Sequence, residues 1–501
     1  MTCPQRAPRR AGVLLHPTSL PGRYGIGDFG WQARRFIDLI AEARQGLWQI
    51  MPLGPAGPGN SPYAARSSFA FNPLLVSPDS LAERGWLVGE DLDGAPGADP
   101  GHVDFDAVKH WKRDRLHRAF ERYQREPEPP DFADFREAAA AWLPDFCLFM
   151  ALRARHGWWA EWPEGLRRRD PLALAEACEC FADAIRFHEF VQWCAHSQWV
   201  SLRQYANERG VEVVGDIPIF VDHNSADVWA HQEIFKLDER GLPFVVAGVP
   251  PDAFSSTGQR WGNPLYDWDR LRDRGYDWWI DRFRWMLHQV DIVRIDHFRG
   301  FQAAWEVPAH EHTAENGYWV HGPGRDFFDH ARHALGNVPI VVEDLGLITD
   351  DVRALRDELG YPGMDVLQFA FGDDARNPYL PHNVCPSSIM YTGTHDNDTT
   401  AGWLATLDPA SHTRLTRYLG HEPRDVRDII RLAYASVAET AIVPMQDVLG
   451  LGSEARMNVP GQADGNWTWR MTEAQMETCD PAWLRELGET YGRVPGVNTS
   501  W

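Results

Sequence analysis

Short apolar runs that end in polar or small residues recur along the whole chain. They are the segments 12–16, 47–53, 211–219, 290–295, 338–342, 364–371, 389–392 and 441–448. Runs of this length, rich in Val and Ile, are typical of parallel strands that are buried on both faces. Patterns with helical periodicity lie between several of the runs, as in 29–43, 276–288 and 350–359. This alternation of strands and helices predicts an α/β fold.

The number of runs predicts a more specific architecture, because a (β/α)₈ TIM barrel needs eight strands. The segment 54–210 separates the second run from the third and is longer than a βα unit needs. Its patterns are mainly helical, so we expect an inserted helical subdomain at 56–205. Residues 1–55 would then form the first part of a catalytic barrel and residues 206–501 the rest. A second insertion, an active-site loop, is expected at about 222–268.

The composition is that of an ordinary globular protein, with 44% hydrophobic residues and a formal net charge of −22. Nucleic acids and anionic membranes are bound through Lys and Arg, so a chain this acidic is not expected to bind either. No apolar stretch approaches the roughly 18 residues of a membrane span. The chain has seven scattered cysteines, an odd number, which favours free thiols in a reducing compartment. We therefore expect a cytoplasmic protein.

Two short motifs could suggest a cofactor or a metal. Gly25-Ile-Gly27-Asp-Phe-Gly30 fits G-x-G-x-x-G, but it does not directly follow a predicted strand, as a dinucleotide site would require. His310-Glu-His312 lies in a polar loop without the spacing that fixes metal ligands on a helix. We therefore expect no cofactor and no metal at either motif.

The informative signal is where acidic residues stand relative to the predicted strands. Four of them follow or close a strand, namely Asp216, Asp296, Glu343 and Asp396. In a parallel barrel all four would gather at the carboxyl ends of the strands, where barrel enzymes carry out their chemistry. A single acid at such a position is usually an N-cap for the next helix. Four of them, with Arg294 and His395 beside them, favour an active site.

The alternation of side chains along one strand adds information about two of these residues. Arg294 and Asp296 are two residues apart and face the same side, so Arg294 should lower the pKa of Asp296 and keep it ionised. Glu343 follows an apolar stretch, which should raise its pKa. One charged and one protonated carboxyl group are the nucleophile and acid of retaining glycoside chemistry. The same acids could instead hold Mg²⁺, and the residues alone leave both possibilities open.

Longer stretches carry a resemblance to a known family. Among them are Arg294-Ile-Asp-His-Phe-Arg-Gly300, Val342-Glu-Asp-Leu-Gly346 and Gly393-Thr-His-Asp-Asn-Asp-Thr399. Further matching stretches are 16–22, 61–63, 215–220, 250–266, 456–458 and 465–467. They span almost the whole chain in the family's order. The chain resembles the 4-α-glucanotransferases, also called amylomaltases or disproportionating enzymes, of the α-amylase clan.

The resemblance implies a (β/α)₈ barrel without the C-terminal β-domain that is common in the clan. It implies retaining transfer of an α-1,4-glucan segment to the 4-hydroxyl of glucose or a maltooligosaccharide, through a glycosyl-enzyme intermediate. The substrates would be α-1,4-glucans and maltooligosaccharides, with glucose as an acceptor and no cofactor. Disproportionation would be the main activity, and cyclic glucans a further product.

The resemblance also implies roles for matching residues. Asp296 would be the nucleophile, Glu343 the general acid/base, and Asp396 the group that holds the hydroxyls of the −1 sugar. Residues implied to contact substrate are Tyr63, Asp216, Phe254, Gln259, Trp261, Arg294, His297, His395 and Asn466. The sequence departs from the family pattern at Pro58, Ala253 and Asp365, which puts the acceptor preference and the size of cyclic products in doubt.

Other functions remain open from the sequence. An α-1,4-glucan hydrolase would use the same scaffold and differ only in accepting water. A noncatalytic glucan-binding protein would use the 23 tryptophans but would need no acid pair. A Mg²⁺-dependent barrel enzyme would use the strand-end acids as ligands.

Overall fold

The computed structural model describes residues 8–97, 99–251 and 255–495, and in these ranges every predicted apolar run overlaps a strand of one parallel sheet. The strands are β1 Arg10–Leu14, β2 Leu47–Gln49, β3 Glu212–Pro218, β4 Ile292–Asp296, β5 Ile340–Val342, β6 Met364–Val366, β7 Ile389–Tyr391 and β8 Thr440–Pro444. Their order in the sheet is β6, β7, β8, β1, β2, β3, β4, β5. Sequential strands are therefore neighbours, as a singly wound barrel requires.

The barrel closes between β5 and β6, where the Val342 N–H donates to the Pro362 carbonyl at 2.9 Å. The inside of the barrel is filled with apolar side chains, among them Leu14, Leu47, Val214, Val341, Met364, Ile389 and Ile442. These side chains make it a packed core and leave no pore. The predicted (β/α)₈ barrel is confirmed.

Several predicted runs extend past the ends of their strands, and two of them continue into a 3₁₀ turn or a helix. β6 ends at Val366 and continues as the 3₁₀ turn Leu367–Phe369. β8 ends at Pro444, which also begins the short helix Met445–Val448. In both continuations a buried apolar side chain follows the strand directly, Leu367 after β6 and Met445 after β8. Periodicity cannot separate a buried strand from the buried turn that follows it.

Helices surround the sheet and fill the segment between β2 and β3. Those of ten residues or more are Trp31–Glu42, Phe105–Tyr123, Leu143–His156, Pro171–Cys180, Ala182–Glu208, Asp277–Gln289, Gly324–Leu335, Asp350–Leu359, Pro409–Leu419, Val426–Ala435 and Pro481–Thr490. The shorter ones are Pro78–Glu83, Pro130–Ala138, Glu164–Arg167, Ala226–Ala230, Trp268–Asp273, Arg299–Gln302, Thr400–Thr406, Met445–Val448 and Glu473–Thr478. None of these described helices is long and apolar enough to cross a membrane.

Helices form most of the segment between β2 and β3. Its helices pack through aromatic side chains, for example Tyr123 on Phe190 with ring centroids 4.7 Å apart. One continuous helix, Ala182–Glu208, crosses the predicted boundary at residue 205 and packs against β3. The division of the chain into 1–55, 56–205 and 206–501 stays a prediction.

A second sheet was not predicted from the sequence. It is antiparallel, and its strands, in spatial order, are Gln259–Pro264, Val245–Val249, Ala303–Pro308 and Tyr318–His321. The expected loop at 222–268 therefore contains two strands that pair with each other, and one of them, Val245–Val249, also pairs with Ala303–Pro308 beyond β4. Gly248 and Gly262 interrupt the alternation that predicts a strand, and the partners are distant in sequence. From Met445 to residue 495 the described chain is helix and loop, with no further β-domain.

Candidate active site

The four strand-end acids come together at the carboxyl ends of the barrel strands. Asp216 lies within β3, and Asp296 is the last residue of β4. Glu343 follows β5 directly, and Asp396 lies in the loop after β7. Asp296 and Asp396 line the same open cleft, whose volume is about 650 Å³.

Arg294 joins two of these acids. Its Nη1 donates to Asp216 Oδ2 at 2.6 Å and to Asp296 Oδ1 at 3.0 Å. The register of the sheet sets this arrangement, because Asp216 on β3 stands beside Arg294 on β4. The Tyr63 hydroxyl donates to the same Asp216 oxygen at 2.8 Å. Arg294 is buried, so its charge acts on both carboxylates with little screening by solvent.

Glu343 is held by the backbone beside Asp296. Its N–H donates to the Ile295 carbonyl at 2.9 Å, which extends the pairing of β4 with β5 by one residue. Its carboxylate accepts from the His297 N–H at 2.8 Å and from the Leu345 N–H at 2.7 Å. His297 is in the left-handed conformation with φ of 53°, so the chain turns immediately after Asp296. Asp296 and Glu343 therefore stand side by side on adjacent strand ends.

The protonation of this pair differs from the expectation. Burial raises the pKa of Asp296 well above its ordinary value, and the carboxyl groups of Asp216, Glu343 and Asp396 raise it further. The prediction that Arg294 holds this pKa low is wrong, because the guanidinium is shared with Asp216 and burial outweighs it. The prediction for Glu343 is confirmed, since burial raises its pKa against the opposing charge of Arg294.

Burial acts in the opposite direction on the histidines of the site. It lowers the pKa of His297 and of His16 to about 3, and it also lowers the pKa of His395. All three imidazoles are consequently neutral at physiological pH. They can donate or accept hydrogen bonds but add no positive charge to the cleft.

Asp396 is fixed by residues whose roles the sequence analysis missed. The Asn458 side-chain N–H donates to Asp396 Oδ1 at 2.6 Å, and Arg456 Nη2 donates to the Asp396 carbonyl at 2.7 Å. His395 Nε2 lies 3.4 Å from Asp396 Oδ2. Asn458 and Arg456 belong to a stretch that carries the family resemblance, and this resemblance is the sequence signal that could have identified them as site residues. Nothing in their local pattern connects them with an acid about 60 positions earlier.

An aromatic wall stands beside Asp396. Tyr63 and His395 stack with ring centroids 5.0 Å apart and planes 18° from parallel. Trp467 lies against both, at 5.9 Å from Tyr63 and 5.8 Å from His395. Trp467 is largely buried and was not predicted as a site residue. The wall joins side chains from three separate parts of the chain, so only the folded structure reveals it.

The opposite rim of the cleft is a strand of the second sheet. Gln259, Trp261 and Asn263 alternate along Gln259–Pro264 and all three line the cleft. Trp261 is 40% exposed, and its ring meets His297 edge-on with centroids 4.8 Å apart. Asn263 was not predicted. Phe254, predicted for this rim, and Ala253 beside it lie outside the described residues.

The loop after β8 supplies the remaining wall. Asn466 lines the cleft, but its amide is engaged by the loop itself. Its Nδ2 donates to the Gln462 carbonyl at 2.9 Å, and its Oδ1 accepts from the Val459 N–H at 2.9 Å. This arrangement favours a role in shaping the wall. Pro58 also lines the cleft, whereas Asp365 lies on β6 beside Ser388, where burial raises its pKa to about 6.

The chemistry of the site is that of carboxyl groups around one buried guanidinium, that of Arg294, together with neutral hydrogen-bonding groups. In the described parts of the chain, no group of three or more His, Cys, Asp or Glu side chains is placed to hold a metal ion. Asp216 and Asp296 share Arg294, while Glu343 accepts backbone N–H groups. Two adjacent carboxyl groups in an aromatic-walled cleft can serve as nucleophile and acid toward a sugar.

Comparison with known proteins gives matches over nearly the full length. The profile of one family, described as 4-alpha-glucanotransferase, matches residues 15–476. The 4-alpha-glucanotransferase of Thermus thermophilus is 48% identical, and the alignment covers 97% of this chain and 99% of the relative. The chloroplastic/amyloplastic 4-alpha-glucanotransferase of Solanum tuberosum is 43% identical, with 98% and 88% covered.

Solved structures agree with these sequence matches. The amylomaltase of Streptococcus agalactiae, solved in complex with acarbose, superimposes with a TM-score of 0.94 at 37% identity. That alignment covers 97% of this chain and all of the other. The amylomaltase of Corynebacterium glutamicum superimposes with a TM-score of 0.77 at 18% identity, and the alignment covers 97% of this chain and 75% of the other. At this low identity the match supports the fold alone.

Proposed function

The chain belongs to the 4-alpha-glucanotransferase family, and we propose that it transfers α-1,4-glucan segments by a retaining reaction in two steps. The observation that carries the mechanism is the adjacent pair of Asp296 and Glu343 on the ends of β4 and β5. Neighbouring strands lie about 4.8 Å apart. This spacing of the two strand ends is compatible with the roughly 5–5.5 Å between the carboxyl groups of retaining enzymes.

In the first step Asp296 attacks the anomeric carbon of the donor sugar. The carbon–oxygen bond to the leaving chain breaks as the bond to the Asp296 carboxylate forms, and Glu343 gives its proton to the departing 4-oxygen. Arg294 lies 3.0 Å from the Asp296 oxygen and keeps the attacking carboxylate oriented. The raised pKa of Glu343 suits a group that must be protonated before the bond breaks.

In the second step the 4-hydroxyl of an acceptor sugar attacks the glycosyl-enzyme. Glu343, now ionised, takes the hydroxyl proton, and the bond to Asp296 breaks. The new glycosidic bond has the original α configuration, because two inversions at one carbon restore it. The number of glycosidic bonds does not change, so the reaction needs no cofactor to drive it.

We propose that the −1 sugar lies between Asp396 and the aromatic wall of Tyr63, His395 and Trp467. Asp396 is suited to accept hydrogen bonds from two sugar hydroxyls, because Asn458 and Arg456 hold it in place. One ring of this wall would stack on the apolar face of the sugar. Arg294, with Asp216 and Tyr63 behind it, would provide a rigid floor.

We propose that the acceptor enters along Gln259 and Trp261, with His297 nearby and Asn466 shaping the far wall. The acceptors would be glucose and maltooligosaccharides, and the donors α-1,4-glucans. A bound hydroxyl in the right geometry has an effective concentration that solvent water does not match. Transfer would therefore exceed hydrolysis, although both use the same glycosyl-enzyme.

The decisive test is incubation of the protein with maltotriose alone. We expect glucose together with longer maltooligosaccharides and a constant number of reducing ends. A steady rise in reducing ends, without products longer than three sugars, would identify a hydrolase and contradict the proposal. Addition of a chelator should leave the product pattern unchanged, whereas a Mg²⁺-dependent barrel enzyme would lose activity.

A further inference from the structure

The seam where the barrel closes differs from the other contacts between its strands. β5 and β6 are the two ends of the hydrogen-bonded strand order, so no ladder joins them in the described chain. The Val342 N–H donates to the Pro362 carbonyl at 2.9 Å. Two residues further on, a side chain provides the next link, because Asp344 Oδ1 accepts from the Met364 N–H at 2.8 Å.

Asp344 is built into this seam from two further sides. Its side chain is only 7% exposed, and its Oδ2 accepts from Arg356 Nη1 at 2.6 Å. Arg356 lies on the helix Asp350–Leu359 that follows β5. A Cβ at Gly363 would lie 2.6 Å from Oδ2 and 2.8 Å from Oδ1 of Asp344. The carboxylate therefore occupies space that exists because residue 363 has no side chain.

The seam lies immediately beside Glu343. The hydrogen bonds described for the Glu343 carboxylate come from backbone N–H groups, those of His297 and Leu345. Leu345 is the residue after Asp344, so the position of the Glu343 carboxylate depends on the course of the backbone from 343 to 345. A misplacement of about 1 Å can cost a reaction about 10²-fold in rate.

We propose that Asp344 is a positioning residue that closes the barrel seam onto β6 and thereby holds Glu343 in place for proton transfer. Asp344 itself does not touch the substrate. The inference rests on the proposed role of Glu343 as acid and base. The seam then contributes to the protonation of the leaving group by Glu343 and has no part in the attack by Asp296.

The charges around Glu343 give Asp344 a second measurable effect, on the pKa of Glu343. Arg294 lowers this pKa, Asp344, the next residue in the chain, raises it, and Asp296 and Tyr379 also face Glu343. Loss of the Asp344 charge should therefore lower the pKa of Glu343. The descending limb of activity on maltotriose against pH would then move to lower pH.

Two variants perturb the seam independently, and a third variant, outside the seam, serves as the control. Asp344→Asn keeps an oxygen for Met364 but loses the ion pair with Arg356. Gly363→Ala keeps Asp344 and displaces its carboxylate. Gly372→Ala is the matched control, because a Cβ there meets no atom within 4 Å. Each is assayed by turnover of maltotriose and by first-turnover fluoride release from α-glucosyl fluoride, whose departure needs no proton.

We expect both seam variants to lose at least about tenfold more activity on maltotriose than on the fluoride, which is about 1.4 kcal/mol of barrier. The control should match the wild type on both donors. Equal losses on the two donors, within about threefold, would overturn the inference and leave a structural seam only. Glu343→Gln is run in parallel. If that variant loses fluoride release as well, the proposed role of Glu343 fails, which is a different result from failure of the seam.

Discussion

The floor and the rim of the cleft are built in different ways. On the floor Asp216, Arg294 and Asp296 come from two paired strands, are joined by bonds of 2.6 and 3.0 Å, and sit over a packed barrel core. On the rim Trp261 belongs to the edge strand of a small sheet, and it is 40% exposed. A side chain on the floor cannot move without breaking short buried hydrogen bonds, whereas Trp261 donates one longer hydrogen bond, 3.3 Å to Gln259 Oε1, and part of its ring is open to solvent.

This difference suggests a division of labour. Bond breaking needs reacting groups held to within a fraction of an ångström, and paired strands provide that rigidity. Acceptors of different lengths need a surface that adapts, and a half-exposed aromatic side chain provides one. Changes on the floor should therefore alter rates by orders of magnitude, while changes on the rim should alter the ratio of products.

The largest effect is expected for Asp296→Asn on the floor. It should lower the rate of transfer by at least about 10³-fold, or about 4 kcal/mol, because the covalent intermediate cannot form. Turnover of maltotriose is measured, and the melting temperature shows whether the fold is kept. Activity within about tenfold of the wild type would remove Asp296 as the nucleophile.

Glu343→Gln should be nearly as severe on glucans but should spare one reaction. Fluoride should still be released from α-glucosyl fluoride, and the glycosyl-enzyme should accumulate, because its breakdown needs a base. Peptide mapping of the trapped enzyme should find the sugar on Asp296. A sugar attached to residue 343 in the wild-type enzyme would show that the two roles are reversed.

The pH dependence of activity on maltotriose and on α-glucosyl fluoride should distinguish the roles of Asp296 and Glu343. Activity on maltotriose should fall as pH rises through the raised pKa of Glu343, because the acid form is then lost. At low pH the activity on maltotriose should also fall, because Asp296 becomes protonated. The two carboxyl groups interact, so the two apparent pKa values of the profile belong to the pair and not to single residues. First-turnover release of fluoride should keep the acid limb and lose the descending one. An unchanged descending limb would argue against Glu343 as the acid.

A smaller effect is expected at Asp396, whose carboxylate is held by a residue of the loop after β8. Asn458→Ala removes a 2.6 Å hydrogen bond to the Asp396 carboxylate. A bond to a charged group is worth about 1.5–3 kcal/mol, so a loss of roughly tenfold to a hundredfold in kcat/KM is expected. Asn337→Ala, at an exposed amide, is the control. An unchanged kcat/KM would mean that Asp396 needs no support from Asn458.

The smallest change in rate is expected on the rim, for Trp261→Ala. At fixed maltotriose the release of sugar to water should rise a few-fold relative to chain transfer, because the acceptor is held less well. Trp319→Ala is a matched control with similar exposure, 38%, outside the cleft. A lower melting temperature with an unchanged ratio would mean that Trp261 only packs the rim.

Much of the floor could be predicted from the sequence. Asp216, Asp296, Glu343 and Asp396 follow or close short apolar runs that are typical of buried strands, and a parallel barrel brings such positions to one end. The family motifs then gave each acid a role. The second sheet and its edge strand were not predictable, because glycines break the alternation and the paired segments lie on both sides of β4.

What the sequence determined by itself is the set of local signals: the eight apolar runs, the acids at their ends, and Arg294 two residues before Asp296. The tertiary structure decided how these groups act on one another. Asn458 and Arg456 reach Asp396, and Trp467 joins Tyr63 and His395, only through folding. The pKa of Asp296 rises although Arg294 is its neighbour in sequence. Hydrophobic periodicity is a property of neighbouring residues and can be read along the chain. Burial and electrostatic interactions depend on all surrounding groups, and these are assembled only when the barrel closes.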